Sequence, residues 1–336
     1  MNLGVVGTGY WGSNHARVAA GLREDGVVDD VVLCDVDRDR VANLARSYGF
    51  EYVTDHTDLA GLVDAAIVAT PSPTHRAVGT DLLAAGLDLL VEKPLALTSD
   101  DARAIVETAD EAGRTLATGH IFRHHPALND IRDRLQRGEL GDPRYLTTNR
   151  FSSRAPRTTA GTLFSLAVHD VDIYTYLLGE WPETVFCVLN EAETEDVDET
   201  ATLTLTYESA IGTIDVSWRV PTFGKRRDLV VSGTKATGYV DYLEDTVVKL
   251  HDTTLVTDAE VQTREEATRT YELPEAEPLR LEVESFLEAC RTGATPRASG
   301  RTGVAAIEIL EAAKRSAATG RAVDMDFDLP PPSGGV

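Results

Sequence analysis

From residue 3 to about residue 123 the chain alternates short, uninterrupted apolar runs with stretches in which apolar residues recur every three or four positions. The runs cover residues 3–6, 31–34, 65–69, 87–91 and 115–118, and the helix-period stretches residues 15–22, 38–48, 74–85 and 99–112. An apolar run without polar alternation is a strand buried on both faces, and strands that alternate with helices make a parallel sheet covered on both sides. The pattern predicts an α/β, doubly wound N-terminal domain.

After a helical stretch at 125–136 that stops at Gly138, the texture changes. Residues 144–151, 184–189, 200–207, 211–218, 228–232, 238–241 and 246–250 read as β-branched or alternating strands broken by Gly, Asn and Asp turns. One long helix at 162–178 interrupts them, and helices at 282–291 and 303–317 follow. This predicts an α+β C-terminal domain with a large, mostly antiparallel sheet. Helices on one face would leave an apolar face for a second subunit to cover, which implies a homodimer or homotetramer. The expected division is 1–123, 124–328 and a disordered tail at 329–336, where three prolines precede Ser-Gly-Gly. No internal repeat is visible.

Composition narrows the function. A chain of 336 residues is long enough for two cores. It has no run of eighteen apolar residues and no basic segment ahead of the first strand, so neither a membrane span nor a signal peptide is expected and a cytoplasmic location follows. Cys34, Cys187 and Cys290 are scattered without metal or disulfide spacing. A net charge of −23 and a pI near 4.7 exclude nucleic acid as a partner, and an anionic substrate would need a local basic pocket. Only five of the 32 basic residues are lysine. Acid-rich, lysine-poor composition points to a halophilic cytoplasm in which salt screens self-repulsion, the alternative being an acidic protein from a GC-rich genome.

Gly7-Thr8-Gly9-Tyr10-Trp11-Gly12 follows the first strand and opens a helix. In that setting GxGxxG marks a dinucleotide-binding Rossmann domain: Gly7 permits the tight turn, Gly9 lets amides approach a pyrophosphate, and Gly12 lets helix and strand pack closely. Tyr10 and Trp11 lie inside the same loop. The second strand ends at Asp35, 23 residues past Gly12, where a carboxylate accepts hydrogen bonds from ribose hydroxyls and repels a 2′-phosphate. NAD is therefore expected over NADP, although Arg38 nearby is a possible phosphate partner.

Glu92-Lys93-Pro94 sits at the C-terminal end of the 87–91 strand, where open α/β sheets place ligands. Unlike arginine, a lysine amine titrates when desolvated and can act at a carbinol oxygen, with Glu92 setting its charge environment. An exposed loop lysine is the plainer alternative.

The segments GVVGTGYWGSNHAR, ATPSPTH, VEKPLA, GHIFRHHPAL, GTLFSLAVHDVD and LEVESFLEACRTGATPRASG together resemble the glucose–fructose oxidoreductase and inositol dehydrogenase family (Gfo/Idh/MocA) over nearly the whole chain. The resemblance implies NAD-dependent oxidation of a sugar ring hydroxyl. It implies a catalytic Lys93 beside the nicotinamide with a cis Lys93–Pro94 bond, and cofactor contacts at Thr70, Pro71, His75 and Glu92. The family's Asp-x-x-x-His helix motif maps onto Ser165 and His169, where His169 matches as general base and Ser165 departs from the expected Asp. Positions i and i+4 share a helix face, which explains how such a pair works. Asp172 either orients the His169 ring or is a surface acid.

His120, His124 and His125 cluster without a carboxylate or thiolate partner, so no metal is expected. The resemblance makes Arg123 and His124 substrate-facing. Arg154 and Arg157 are candidates for binding a diphosphate or carboxylate. The opening glycine loop, the GHIxR stretch and the LAxHDxD helix are most similar to the branch that oxidises the 3-hydroxyl of UDP-N-acetylglucosamine or a related uronate. An inositol or free-sugar dehydrogenase is the alternative, and a non-catalytic NAD-binding regulator is the alternative from another class.

Overall fold

In the computed structural model, residues 1–153, 160–191, 197–221, 224–244, 246–258, 261–329 and 332 are described, and Arg154, Arg157 and most of the 329–336 tail lie outside them. The first compact unit comprises residues 1–121 and 279–308. Its sheet consists of β1 (Leu3–Val6), β2 (Val31–Cys34), β3 (Glu51–Val53), β4 (Ala65–Val68), β5 (Asp88–Val91) and β6 (Leu116–Thr118). All pairings are parallel, in the order β3-β2-β1-β4-β5-β6. The order reverses between β1 and β4, and the loops beyond their C-terminal ends form the crevice where such sheets bind ligands. The helices are α1 (Tyr10–Glu24), α2 (Arg38–Tyr48), α3 (His75–Ala84) and α4 (Ser99–Ala112). Only β3 had no counterpart in the pattern, because this three-residue edge strand carries no fully buried side chain.

A late segment of the chain also contributes to this core. The helix α7 (Pro278–Thr292) inserts Leu279, Val283, Phe286 and Leu287 into the same core as Leu3, Val5, Leu22 and Leu33. Spacing of i, i+4, i+7 and i+8 makes one apolar stripe, and that stripe is buried in the first unit.

The second unit comprises residues 122–278 and 309–334. Its sheet is built from β7 (Pro143–Ser152), β8 (Thr184–Glu191), β9 (Asp198–Thr206), β10 (Ile211–Ser217), β11 (Lys225–Gly233), β12 (Ala236–Asp241), β13 (Val247–Asp258), β14 (Val261–Glu272) and β15 (Val323–Asp324). The order is β14-β13-β12-β11-β7-β10-β9-β8-β15, and only the β10–β7 pairing is parallel. The polar strand β14 was not legible in the pattern; it is held by a twelve-pair ladder to β13. Backbone hydrogen bonds need no apolar alternation.

The helices α5 (Pro126–Gln136) and α6 (Val168–Leu178) pack together, and α8 (Gly300–Thr319) closes the chain's helical part. Every residue of α6 from Val168 to Leu177 is buried. One sheet face supplies buried Leu146, Leu203, Leu205, Val216 and Val231 to the core. The other exposes Tyr145, Phe186, Val188 and Ile211 among Thr147, Thr202, Thr204, Thr206 and Thr213, so it is threonine-rich where an apolar face was expected. No helix among the described residues is long and apolar enough to cross a membrane.

Candidate active site

The glycine loop is a backbone cradle. Gly7 has φ +88°, and a Cβ there would lie 2.8 Å from the backbone of Ala69 and Thr70. At Gly12 a Cβ would lie 1.7 Å from the Gly7 carbonyl oxygen. Neither position admits a side chain. Gly9 faces open space and caps α1 without a side-chain hydrogen bond, which leaves the first amides of the helix available to an anion. Tyr10 is exposed and meets Trp11 edge-on.

Asp35 closes the far side of this loop. Its Oδ2 accepts from the Thr8 amide at 2.7 Å and the Thr8 hydroxyl at 2.8 Å, and its Oδ1 accepts from the Asp37 amide at 2.9 Å. Burial pushes the carboxyl up, but these donors and the Arg40 guanidinium outweigh it and hold the group below the usual carboxylate range. The arginine beside Asp35 is Arg40, at 3.5 Å, which also pairs with Asp37; Arg38 is exposed. An open phosphate cradle, an uncapped helix and an ionised acid at the end of β2 fit a dinucleotide.

The Lys93–Pro94 bond is cis. Lys93 is half-buried, and its amide donates to Glu92 Oε2 at 3.1 Å. Glu92 Oε1 lies 2.9 Å from Nε2 of His15, a fully buried residue in the second turn of α1. Burial raises the Glu92 carboxyl, yet His15 and Lys93 together bring it below its ordinary value. His75, also buried, places Nδ1 3.0 Å from the Pro94 carbonyl and Nε2 2.9 Å from that of Thr70. Burial lowers its pKa against both carbonyls. Thr70 therefore reaches the lysine segment through His75, while Pro71 caps a short 3-10 turn beside it. Nothing local in the sequence marks the contact of His15 with Glu92, 77 residues away.

In the second unit, His169 is in the first turn of α6, 8% exposed, with its ring 5.0 Å from that of Phe122. Residues Leu163–Ala167 ahead of it form a π-helical turn, with the Val168 amide bonded to the Leu163 carbonyl. Such single turns, closed by an i→i+5 hydrogen bond, occur often at functional sites. The Ser165 hydroxyl, four residues before His169, donates to the Ala160 carbonyl at 3.3 Å. Asp198 anchors the turn by accepting from the Thr162 hydroxyl and the Leu163 amide, both at 2.7 Å.

Asp172 is not a surface acid. It is 2% exposed, and both its oxygens take the Nε of Arg123, at 2.9 and 3.1 Å, with Nη2 at 2.7 Å. Arg123, read as substrate-facing, is 1% exposed and lies against the Tyr176 ring. His124 is buried in the same 3-10 turn, Ile121–His124.

A second buried pair was not anticipated. Arg150 Nε lies 2.9 and 2.7 Å from the two oxygens of Asp170, with the guanidinium over the rings of Phe122 and Tyr242. Burial raises the Asp170 carboxyl, opposed by Arg150 and, through space, by Arg227. Burial lowers the Arg150 guanidinium, but Asp170, Tyr242 and Tyr174 together hold it above its ordinary value. No group of three His, Cys, Asp or Glu among the described residues has the arrangement of a metal site.

Residues 1–120 match the oxidoreductase family with an NAD-binding Rossmann fold (GFO_IDH_MocA), and residues 132–325 match its C-terminal alpha/beta domain. The chain is 31% identical over 316 residues to the UDP-N-acetylglucosamine 3-dehydrogenase of Acidithiobacillus ferrooxidans, covering 93% of this chain and 95% of that enzyme. It is 29% identical over 348 residues to the myo-inositol 2-dehydrogenase of Thermotoga maritima, covering 97% and 99%. A solved structure of the A. ferrooxidans enzyme superposes with a TM-score of 0.82 at 26% identity, covering 94% of this chain and 97% of that one. A Rossmann unit with a phosphate cradle and an amine at a strand end, followed by an α+β unit, defines an NAD-binding oxidoreductase. The chain belongs to the Gfo/Idh/MocA family, whose relatives include sugar and polyol dehydrogenases.

Proposed function

We propose that this enzyme oxidises a ring hydroxyl of a nucleotide-linked sugar, the 3-hydroxyl of a UDP-N-acetylhexosamine or its uronate, with NAD in preference to NADP. The observation that carries the reading is similarity along nearly the full chain to a UDP-N-acetylglucosamine 3-dehydrogenase, together with Lys93 and His169 at the family's positions.

Gly7, Gly9, Gly12 and the α1 N-terminus would hold the pyrophosphate, Asp35 the ribose, and Tyr10, Trp11, Thr70, Pro71 and His75 the remainder of the dinucleotide. Bound there, NAD+ supplies the hydride acceptor. Lys93 donates a hydrogen bond to the reacting oxygen and stabilises charge on it as the C–H electron pair leaves. His169 takes the hydroxyl proton, which leaves a neutral ketone. Ser165, in place of a carboxylate, can hydrogen-bond a sugar hydroxyl. Arg123, through Asp172, positions the turn that carries His124. An ionised Asp35 disfavours a 2′-phosphate, which supports the NAD preference.

Screening UDP-sugars, their uronates and myo-inositol for NADH formation tests the assignment. Turnover of myo-inositol with indifference to UDP-sugars would overturn it in favour of the polyol reading, which the T. maritima relative supports.

The reading includes a cytoplasmic homodimer or homotetramer that covers the open sheet face, where Phe186, Val188 and Ile211 are exposed. A stable monomer by light scattering would overturn that assembly.

A further inference from the structure

In a chain carrying 55 acidic against 32 basic residues, Lys225-Arg226-Arg227 is a conspicuous run of cations. It opens β11, and its register against β7 decides where each side chain goes. Lys225 stands opposite Ser152, Arg226 opposite Phe151 and Arg227 opposite Arg150. Side chains alternate between the faces of a sheet, so Arg150, Ser152, Lys225 and Arg227 share one face while Arg226 turns to the other. There Arg226 pairs with Asp228 at 2.7 Å. The face with Lys225 and Arg227 is the one that α6 covers, because Arg150 meets Asp170 of that helix.

These side chains line a cavity of about 200 Å³ with Ser153 and Leu166, the latter from the π-helical turn before His169. Arg150 is 2% exposed; its Nε is committed to Asp170, while its Nη2 is buried with no hydrogen-bond partner among the described residues. The cavity thus has a fixed cationic wall at its inner end and two further cations toward its mouth. Asp170 neutralises one charge, and Glu199, farther along the same face, is engaged by Arg219. The cavity is near His169, since the Phe122 ring lies 4.5 Å from the Arg150 guanidinium carbon and 5.0 Å from the His169 ring.

We propose that this cavity is an oxyanion subsite, with Lys225 and Arg227 binding a phosphoryl group of the substrate and Arg150 setting the inner wall. The inference rests on the nucleotide-sugar reading above and gives its charged portion a location. A diphosphate approaches this protein against its overall field, so affinity depends on cations gathered locally. Guanidinium and ammonium groups bind phosphate through charge-assisted hydrogen bonds, and serine hydroxyls complete such a site.

The test uses the full-length protein saturated with NADH, so that the dinucleotide cradle is filled, and titrates UDP and, separately, pyrophosphate by calorimetry. Wild type is compared with Lys225→Gln, Arg227→Gln and the double variant. The double variant is expected to bind UDP at least tenfold more weakly, with a flatter dependence on salt and unchanged NADH affinity. Equal UDP affinity in wild type and double variant, or no binding of UDP or pyrophosphate to wild type, would overturn the subsite. The two readings fail separately. UDP binding that depends on Lys225 and Arg227 without oxidation of any UDP-sugar keeps the subsite and removes the substrate assignment. Turnover of a UDP-sugar with unaltered KM in the double variant does the reverse.

Discussion

His15 and Glu92, 77 residues apart in sequence, share a buried hydrogen bond of 2.9 Å between Nε2 and Oε1. One belongs to the helix that follows the glycine loop, the other to the segment presenting Lys93. The pair ties the position of the phosphate cradle to that of the amine.

For Glu92→Gln, the effect on stability should depend on pH. The folded carboxyl titrates below its ordinary value of 4.5, so its ionised form contributes stability that is present above that value and is lost as pH falls through the folded pKa. Wild type should therefore melt higher than the variant near neutrality, with the gap closing in acid below pH 4.5. A gap of constant size in melting scans across this range would contradict the ionised pair.

Lys93→Met should lower kcat by about 10²–10⁴, the usual contribution of a positioned proton-handling group. NADH affinity should change little, because the amine acts on the reacting oxygen and the phosphates rest on Gly7 to Gly12. Unchanged turnover in steady-state assays would remove Lys93 from the chemistry.

Asp35→Ser should shift the kcat/KM ratio toward NADP, since the repulsion of a 2′-phosphate disappears and Arg40 loses one of its two carboxylate partners. The shift should come mostly through KM. A wild-type enzyme that already prefers NADP would refute the role given to this carboxylate.

Arg123→Ala should destabilise the second unit by about 3–5 kcal/mol, because it strands the buried Asp172 charge. The double variant Arg123→Met/Asp172→Leu should recover much of that loss, since an apolar pair of similar volume replaces two desolvated charges. Urea denaturation of the three proteins measures both outcomes, and a neutral single variant would contradict the pairing.

If the charge composition reflects a saline cytoplasm, the melting temperature should rise from low salt to molar KCl as repulsion within a chain of net charge −23 is screened. A flat or falling curve would favour the GC-rich alternative.

What the sequence by itself determined is local in origin. Five of the six parallel strands, the glycine turn, Asp35 at the end of β2, the place of Lys93 at the end of β5 and the helix that carries His169 follow from periodicity and from chemistry within a few residues, while the roles read for Lys93 and His169 come from the family resemblance. The rest depended on contacts between distant segments. The partners of Asp172 and Glu92 lie 49 and 77 positions away, and no spacing rule connects them. Assignment of α7 to the first core, the polar strand β14 and the cationic face of β7 and β11 likewise rest on pairing and packing, which one-dimensional periodicity does not encode. The π-helical turn is the instructive case. Its residues read as ordinary helix, and the turn closes from the Val168 amide to the Leu163 carbonyl while Asp198, 35 positions from Leu163, holds its start, a contact that periodicity along the chain does not encode.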